Sequence, residues 1–311
     1  MRVKFTVPSS IRATTLVLAV FVAALVPLMS PPAADAQQRC PAVAVIAARG
    51  SGQNEHIVPT RYSEQAPWVS NGWEAETIRA FLQHAEQRYR STHDGSSLMA
   101  DVEVLGLEPG YYPAARPSSS LPAVAAPATA IEGVRLLLTY FVPVLQMLPR
   151  AGAEFADSLR VGRAGVTQQI DDYEAATGCQ PGYVLVGYSQ GAMILLEHER
   201  TLARRGQLAG VIYLGNPNTA PGDPSTVGVA GGGAGGMMGR MPVNSKTAAA
   251  TPNRVNYCLP LDLFCDFSGQ SVQVAAGAGA GNHGLYYLAA FEWDDQVSDS
   301  FGRFVDQVRY Q

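Results

Sequence analysis

Basic residues are in short supply in this 311-residue chain: 22 Lys and Arg stand against 26 Asp and Glu, a formal charge of −4 at pH 7. That balance argues against nucleic acid and anionic membrane surfaces as partners. Cysteine pairs of the C-x-x-C kind are missing, and no histidine stands at ligand spacing beside any of the four cysteines. No metal centre is therefore expected, nor any other cofactor. Histidine itself is scarce, with five in the whole chain, which leaves few positions for a general base. The apolar run at 13–26 is shorter than the roughly 20 residues that a membrane-spanning helix needs. Apolar residues are plentiful at 47%, against 15% charged, enough for one α/β domain with a sizeable core.

The N-terminus reads as an export signal. Arg2, Lys4 and Arg12 precede the apolar run, and Ala34-Asp35-Ala36 closes the segment as an A-x-A cleavage site. Residues 1–36 are expected to be a signal peptide and 37–311 a single mature domain, secreted to the cell envelope or beyond. Removing the segment takes away three bases and one acid, leaving a charge near −6. In an oxidising compartment the even number of cysteines, Cys40, Cys179, Cys258 and Cys265, reads as a disulfide framework. Three pairings are open. Cys258 with Cys265 is the local choice, which leaves Cys40 with Cys179 as the long bridge.

The chemistry is concentrated in "YVLVGYSQGAMILL". Val184-Leu185-Val186 reads as a buried strand, and 193–205 has helical periodicity. Between them stands Gly187-Tyr188-Ser189-Gln190-Gly191, the G-x-S-x-G pattern of a nucleophile elbow. Glycines there let strand and helix pack closely, while the tight turn lifts the serine oxygen clear of the sheet. A serine hydroxyl needs a neighbouring base. His198 lies nine residues on, about 13 Å along the expected helix, too far to reach back. His84 and His93 lie in and after a charged helix and read as solvated. In this motif's usual chain order, serine then acid then histidine, the base is His283 in "AGNHGLYY", with His56 as the alternative. For the acid, Asp223, Asp262 and Asp266 remain. Asp262 stands in "CLPLDLFC", where a Cys258–Cys265 bridge would hold its loop rigid; the same bridge also reads as plain loop stabilisation. The Gln190 amide, next after the nucleophile, is one oxyanion donor by construction of the elbow. The loop Arg49-Gly50-Ser51-Gly52, after the first strand, is the candidate for the other.

Strands are expected at 43–48, 101–107, 208–214 and 254–257 besides the elbow strand, and helices at 67–90, 154–176, 193–205 and 285–308. This alternation predicts a parallel sheet flanked by helices on both faces. Two stretches break the rhythm. The segment 220–253, with "VAGGGAGGMMG", reads as a mobile surface loop too poor in large side chains to pack. The segment 114–150 begins rich in Pro, Ser and Ala and continues as "IEGVRLLLTYFVPVLQMLP", which Pro143 would kink. Within it, 131–148 reads either as a buried helix or as a lipid-contacting flap.

Taken together, "ARGSG" after the first strand, "GYSQG" preceded by a cysteine and "PGYVLV", and C-x-x-x-D-x-x-C followed by a Gly-flanked histidine resemble the cutinases. The resemblance runs from Cys40 to the last helix and is closest to the actinobacterial type. It implies an α/β-hydrolase sheet, Cys40–Cys179 and Cys258–Cys265 disulfides, Ser189 as nucleophile, Asp262 as acid and His283 as base. It further implies that Ser51 and Gln190 frame the oxyanion hole. The stretches 114–150 and 220–253 read as insertions into a minimal cutinase. The implied activity is hydrolysis of carboxylic esters by a secreted serine esterase, acting on an ester or lipid substrate with or without a lipid interface. No stable partner is implied. Acyl transfer or thioester cleavage on cell-envelope lipids would use the same site, and a non-catalytic binding role is the remaining alternative.

Overall fold

Strands that must be covered on both faces read as continuous apolar runs, and VAVIAA, the first of them, is buried at every position. The computed structural model describes residues 39–116, 130–240, 251–278 and 281–310, with the backbone alone for 130–151 and 275–278. The expected signal segment 1–36 lies outside the described residues, as do 117–129 and 241–250 of the two insert-like stretches.

In chain order the main elements are β1 (Val43–Ala48), α1 (Ala75–Thr92), β2 (Val102–Gly106), α2 (Ala130–Thr177), β3 (Gly182–Tyr188) and α3 (Gln190–Leu195). They continue with α4 (Glu199–Arg204), β4 (Leu208–Leu214), β5 (Thr226–Gly228), β6 (Arg254–Cys258), α5 (Gly269–Ala278) and α6 (Asp294–Arg309). The strands pair in the order β2-β1-β3-β4-β6-β5, and every pairing is parallel. The α/β-hydrolase architecture expected from the sequence is the one found. These elements belong to one compact unit, Cys40–Gln311.

The two-residue period of a strand divides the core between the faces. Val43, Val45 and Ala47 of β1 point to one side, where Ile78, Phe81 and Leu82 of α1 meet Val297, Phe301 and Val305 of α6. Ala44, Ile46 and Ala48 point to the other, against Val166 and Ile170 of α2 and Ile194 and Leu195 of α3. Among the described residues, α1 and α6 thus bury apolar stripes on one face of the sheet, and α2 and α3 on the other.

Several expected boundaries move, each for a local reason. The helix expected from 67 begins at Ala75, because the preceding turn is held by Asn71, whose side chain accepts from the amides of Trp73 and Gly106. The helix expected at 193–205 is split between α3 and α4, so His198 is not on the nucleophile's helix. The break lets Glu199 turn inward, where it accepts from Tyr213 Oη and Thr251 Oγ1, each at 2.7 Å, beside Arg254 at 3.5 Å. Burial raises the Glu199 carboxyl, against the pull of Arg254. The helix expected from 285 begins at Asp294, after turns in which Tyr287 has φ 56°. The helix expected at 154–176 is the end of the 48-residue α2, whose backbone runs through 131–148 and past Pro143. The choice between core and flap turns on side chains outside the described residues.

The glycine-rich stretch is not a loose surface loop over 220–240. It carries β5 and sits against the turns that follow β4 and β6 through its backbone: Met237 N–H donates to Phe264 O, Met238 N–H to Pro217 O and Phe267 N–H to Gly235 O, at 2.8–2.9 Å. A Cβ on Gly236 would collide with Pro217 O, and one on Gly239 with Thr219 O. Small residues serve here for close backbone approach, a use that composition does not reveal.

Two disulfides are present, Cys40–Cys179 and Cys258–Cys265. The first spans 139 residues and ties the start of β1 to the turn before β3. Replacing both of its cysteines by serine is expected to cost roughly 4 kcal/mol through the freed unfolded chain. The measurement is the denaturant midpoint under non-reducing conditions, and an unchanged midpoint contradicts the estimate.

Candidate active site

In open parallel sheets, reactive groups gather at the carboxyl ends of the strands where the strand order reverses. Here that point lies between β1 and β3, since the chain passes from β1 to β2 on one side and then returns to β3 on the other. The loops leaving β1, β3, β4 and β6 carry Ser51, Ser189, Gly215 and Asp262 respectively.

Ser189 follows β3 directly and has φ 55° and ψ −118°, a conformation that an L side chain rarely adopts. Such strain costs about 1–3 kcal/mol and persists only where the surroundings enforce it. They do. Ser189 N–H continues the ladder to Leu214 O at 2.9 Å. A Cβ on Gly187 would come within 2.7 Å of the Ala192 backbone, and one on Gly191 would fall on the carbonyl oxygen of Ala48. Both glycines of the motif are thus required by close packing of β3, α3 and β1.

His283 comes from a 3-10 turn, Asn282–Gly284, far along the chain. Its Nε2 lies 2.9 Å from Ser189 Oγ, and its Nδ1 lies 3.0 and 2.9 Å from the two oxygens of Asp262. A carboxylate only accepts, so Nδ1 carries the proton and Nε2 is left to accept from the serine hydroxyl. The ring is clamped between Phe264, with centroids 4.3 Å apart, and Tyr188, at 5.2 Å. Tyr188 also donates from its hydroxyl to the His283 carbonyl at 2.8 Å. Burial, and then the nearby Asp262, push the Tyr188 phenol well above its ordinary range, so it remains a donor.

Asp262 is 0% exposed. Its Oδ1 accepts from Phe264 N–H at 2.8 Å and Cys265 N–H at 3.4 Å, and its Oδ2 from Tyr286 Oη at 2.6 Å. The Cys258–Cys265 bridge closes the loop that carries it, and Leu261 just before it has φ 67°. The loop and the histidine turn are joined directly. Asn282 Nδ2 donates to Pro260 O at 2.7 Å, and Gly281 bridges Asp262 as a short antiparallel pair.

Ser51 and Gln190 line a cleft of about 500 Å³ together with Ser189 and His283. The Gln190 amide opens α3, where a helical N–H has no intrahelical acceptor. Gly50 N–H is bonded to Gln53 Oε1 and Gly52 N–H to Ala114 O, whereas Ser51 has no hydrogen-bond partner among the described residues. Arg49 fixes this loop from beneath. It is 0% exposed, donates to Asn54, to Tyr112 O and to Leu107 O, and lies over the rings of Trp73 and Tyr112. Burial lowers its guanidinium to about 10, against the opposing influence of Tyr112, and it stays charged at neutral pH. The apolar wall of the cleft is made by Phe155, Met193, Pro217 and Phe264, and Gln53, Glu76 and Arg116 also line it.

The alternatives weighed in the sequence go elsewhere. His56 is exposed and does not line the cleft. His84 is half-buried against Ser298 rather than solvated, and His93 stacks on Tyr89. Asp223 accepts from Ser225 and Asn256 away from the histidine, and Asp266 holds the Leu261 amide. Sequence reasoning gave no role of their own to Tyr188, Arg49, Phe264 and Tyr286. All four stand inside the motifs quoted for the site, Tyr188 as the variable position of the elbow, but local spacing does not show what their side chains touch.

No protein-family model and no curated protein matches the chain. Solved structures with a similar course include an iodinated acetyl xylan esterase, 17% identical, covering 86% of this chain and all of its own, with a TM-score of 0.47. A cutinase-like protein from Cryptococcus sp. is 18% identical over 86% of this chain and 95% of its own, with a TM-score of 0.46. Trichoderma reesei cutinase in complex with a phosphonate inhibitor is 16% identical over 86% of this chain and 78% of its own, with a TM-score of 0.39.

Gly215, at the end of β4, leaves space for the imidazole: a Cβ there would lie 2.8 Å from His283 Cε1 and 3.0 Å from Asp262 Oδ2, and its φ is 57°. Gly215→Ala, at a cost of roughly 1–2 kcal/mol for the left-handed backbone, is expected to displace the ring. The low-field Nδ1–H proton resonance of a carboxylate-bound histidine, present in the parent, should vanish. Its persistence in the variant would contradict this placement.

Proposed function

We propose that the protein is a serine esterase that cleaves carboxylic esters through an acyl-enzyme. The observation that carries this reading is the continuous relay from Ser189 Oγ to His283 Nε2, and from His283 Nδ1 to the buried Asp262, at 2.9–3.0 Å. Ser189 attacks the ester carbonyl while His283 takes its proton at Nε2. Asp262 stays ionised, holding the tautomer and stabilising the imidazolium. The oxyanion of the tetrahedral intermediate meets the Gln190 amide and Ser51. Removing one donor of such a pair typically lowers kcat by about 100-fold or more. Collapse expels the alcohol, which takes the proton from His283, and water then releases the acid by the same steps.

The apolar wall of the cleft favours an acyl chain as the buried part of the substrate, and the open mouth leaves room for the alcohol. The two disulfides support an oxidising compartment and hence export by way of residues 1–36.

An active-site phosphonate is expected to add once, at Ser189, by intact mass and peptide mapping. Ser189→Ala should fold, take no label and lose ester turnover, and Asp262→Asn should lose roughly 1,000- to 10,000-fold in kcat. A folded parent protein that takes no label overturns the proposal. A series of p-nitrophenyl esters from short to long chains then reads the reach of the apolar wall.

A further inference from the structure

A carboxylate that orients an imidazole must itself be kept from turning about its Cβ–Cγ bond. Asp262 presents both oxygens to His283 Nδ1 at nearly equal distance, 3.0 and 2.9 Å, so the ring's aim depends on the carboxylate plane. The Oδ1 side is fixed by backbone amides of its own loop. On the Oδ2 side, among the described residues, the one donor besides the histidine is the hydroxyl of Tyr286, at 2.6 Å. We propose that Tyr286 is a positioning residue for the reaction, acting through Asp262: its hydroxyl locks the carboxylate plane and keeps His283 aimed at Ser189. The proposal rests on the esterase reading above.

The surroundings of the hydroxyl leave its proton one destination. Leu259 N–H donates to it at 3.1 Å, which occupies its acceptor side. Cys265 Sγ, 3.3 Å away, belongs to a disulfide and is a weak acceptor with no proton to give. An O–H donor to a carboxylate at this distance is a strong, charge-assisted bond. Tyr286 is 0% exposed, and burial together with Asp262 holds its phenol well above the ordinary range, so it remains protonated at any working pH. Its ring is set edge-on to Tyr257 at 5.2 Å and to Tyr188 at 6.0 Å. Tyr286 does not line the cleft and cannot touch substrate.

Its contribution is felt as the reaction proceeds. When Ser189 gives its proton to Nε2, the ring becomes an imidazolium whose Nδ1 proton must stay on nitrogen. A donor on Oδ2 stabilises the carboxylate against taking that proton, and no bond to Tyr286 is made or broken.

The test is Tyr286→Phe in the full chain, assayed on p-nitrophenyl butyrate. The ring packing is retained, kcat is expected to fall about 10-fold, the scale for a hydrogen bond to a charged group, and KM to stay unchanged. The rate of phosphonate labelling at Ser189 should fall by the same factor. In an Asp262→Asn background, which removes the charge being held, the same substitution should cost less than about 2-fold, since residues acting as a unit are not additive. Parent kcat in the single variant, or an equal loss in both backgrounds, overturns the proposal. Leu259 N–H loses its acceptor in this variant; if the variant fails to fold, Tyr286→4-aminophenylalanine, which keeps the ring and puts an N–H donor where the hydroxyl stands, decides. A folded variant of this kind with a kcat loss under about 10-fold supports the donor role, and a larger loss overturns it. A parent that neither labels nor turns over ester defeats the esterase reading instead, so the two failures are distinct.

Discussion

A negative charge without exposed surface has to be solvated by the protein itself, and much of the carboxyl end of the sheet is arranged around meeting that demand at Asp262. Amides of Phe264 and Cys265, the Tyr286 hydroxyl and the His283 imidazole converge on two oxygen atoms. Converging from a loop and from a distant turn requires tight geometry. Leu261 takes a positive φ, a Cβ on Gly281 would collide with Leu261 O, and the Cys258–Cys265 bridge closes the loop over seven residues of separation. The loss of any one donor leaves a buried charge short of a partner, which is far costlier than the same loss at a surface.

Around Ser51 and Gln190 the proposed function sets a different demand, that of holding amides open toward a developing charge. There the parallel sheet does the positioning. β1 and β3 are neighbours in register, Ala48 opposite Gly187, so the loop leaving β1 and the elbow leaving β3 emerge side by side. Arg49 then fixes the first loop with hydrogen bonds to Leu107 and Tyr112, and the Tyr112 hydroxyl lies within reach of both the Arg49 carbonyl, at 3.1 Å, and the Gln190 side-chain amide, at 2.8 Å. One buried tyrosine thus touches the supports of both candidate donors.

The glycine-rich stretch supports the cleft without lining it. Its backbone bonds to Pro217 and Phe264 hold two of the residues that line the cleft with His283. Glycines with positive φ, such as Gly233 and Gly235, let the chain turn often enough to lie flat on its neighbours. Rigidity here comes from backbone contact, not from a side-chain core.

The sequence alone determined the order of strands and helices apart from β5 and α5, the elbow and the short candidate list for its base and acid. These properties are local or follow from chain order: the continuous apolar run VAVIAA, two glycines that only close packing needs, and one histidine downstream of His198. Tertiary structure decided what depends on contacts between distant segments. It selected Asp262 over Asp223 and Asp266 as the carboxylate facing His283, broke the helix after Leu195 so that Glu199 could meet Arg254, and packed the glycine-rich stretch against the site. It also brought the Tyr286 hydroxyl onto Oδ2, a placement with no sequence signature. A hydrogen bond is made at about 3 Å in space whatever the separation along the chain, so spacing in the sequence carries no record of it.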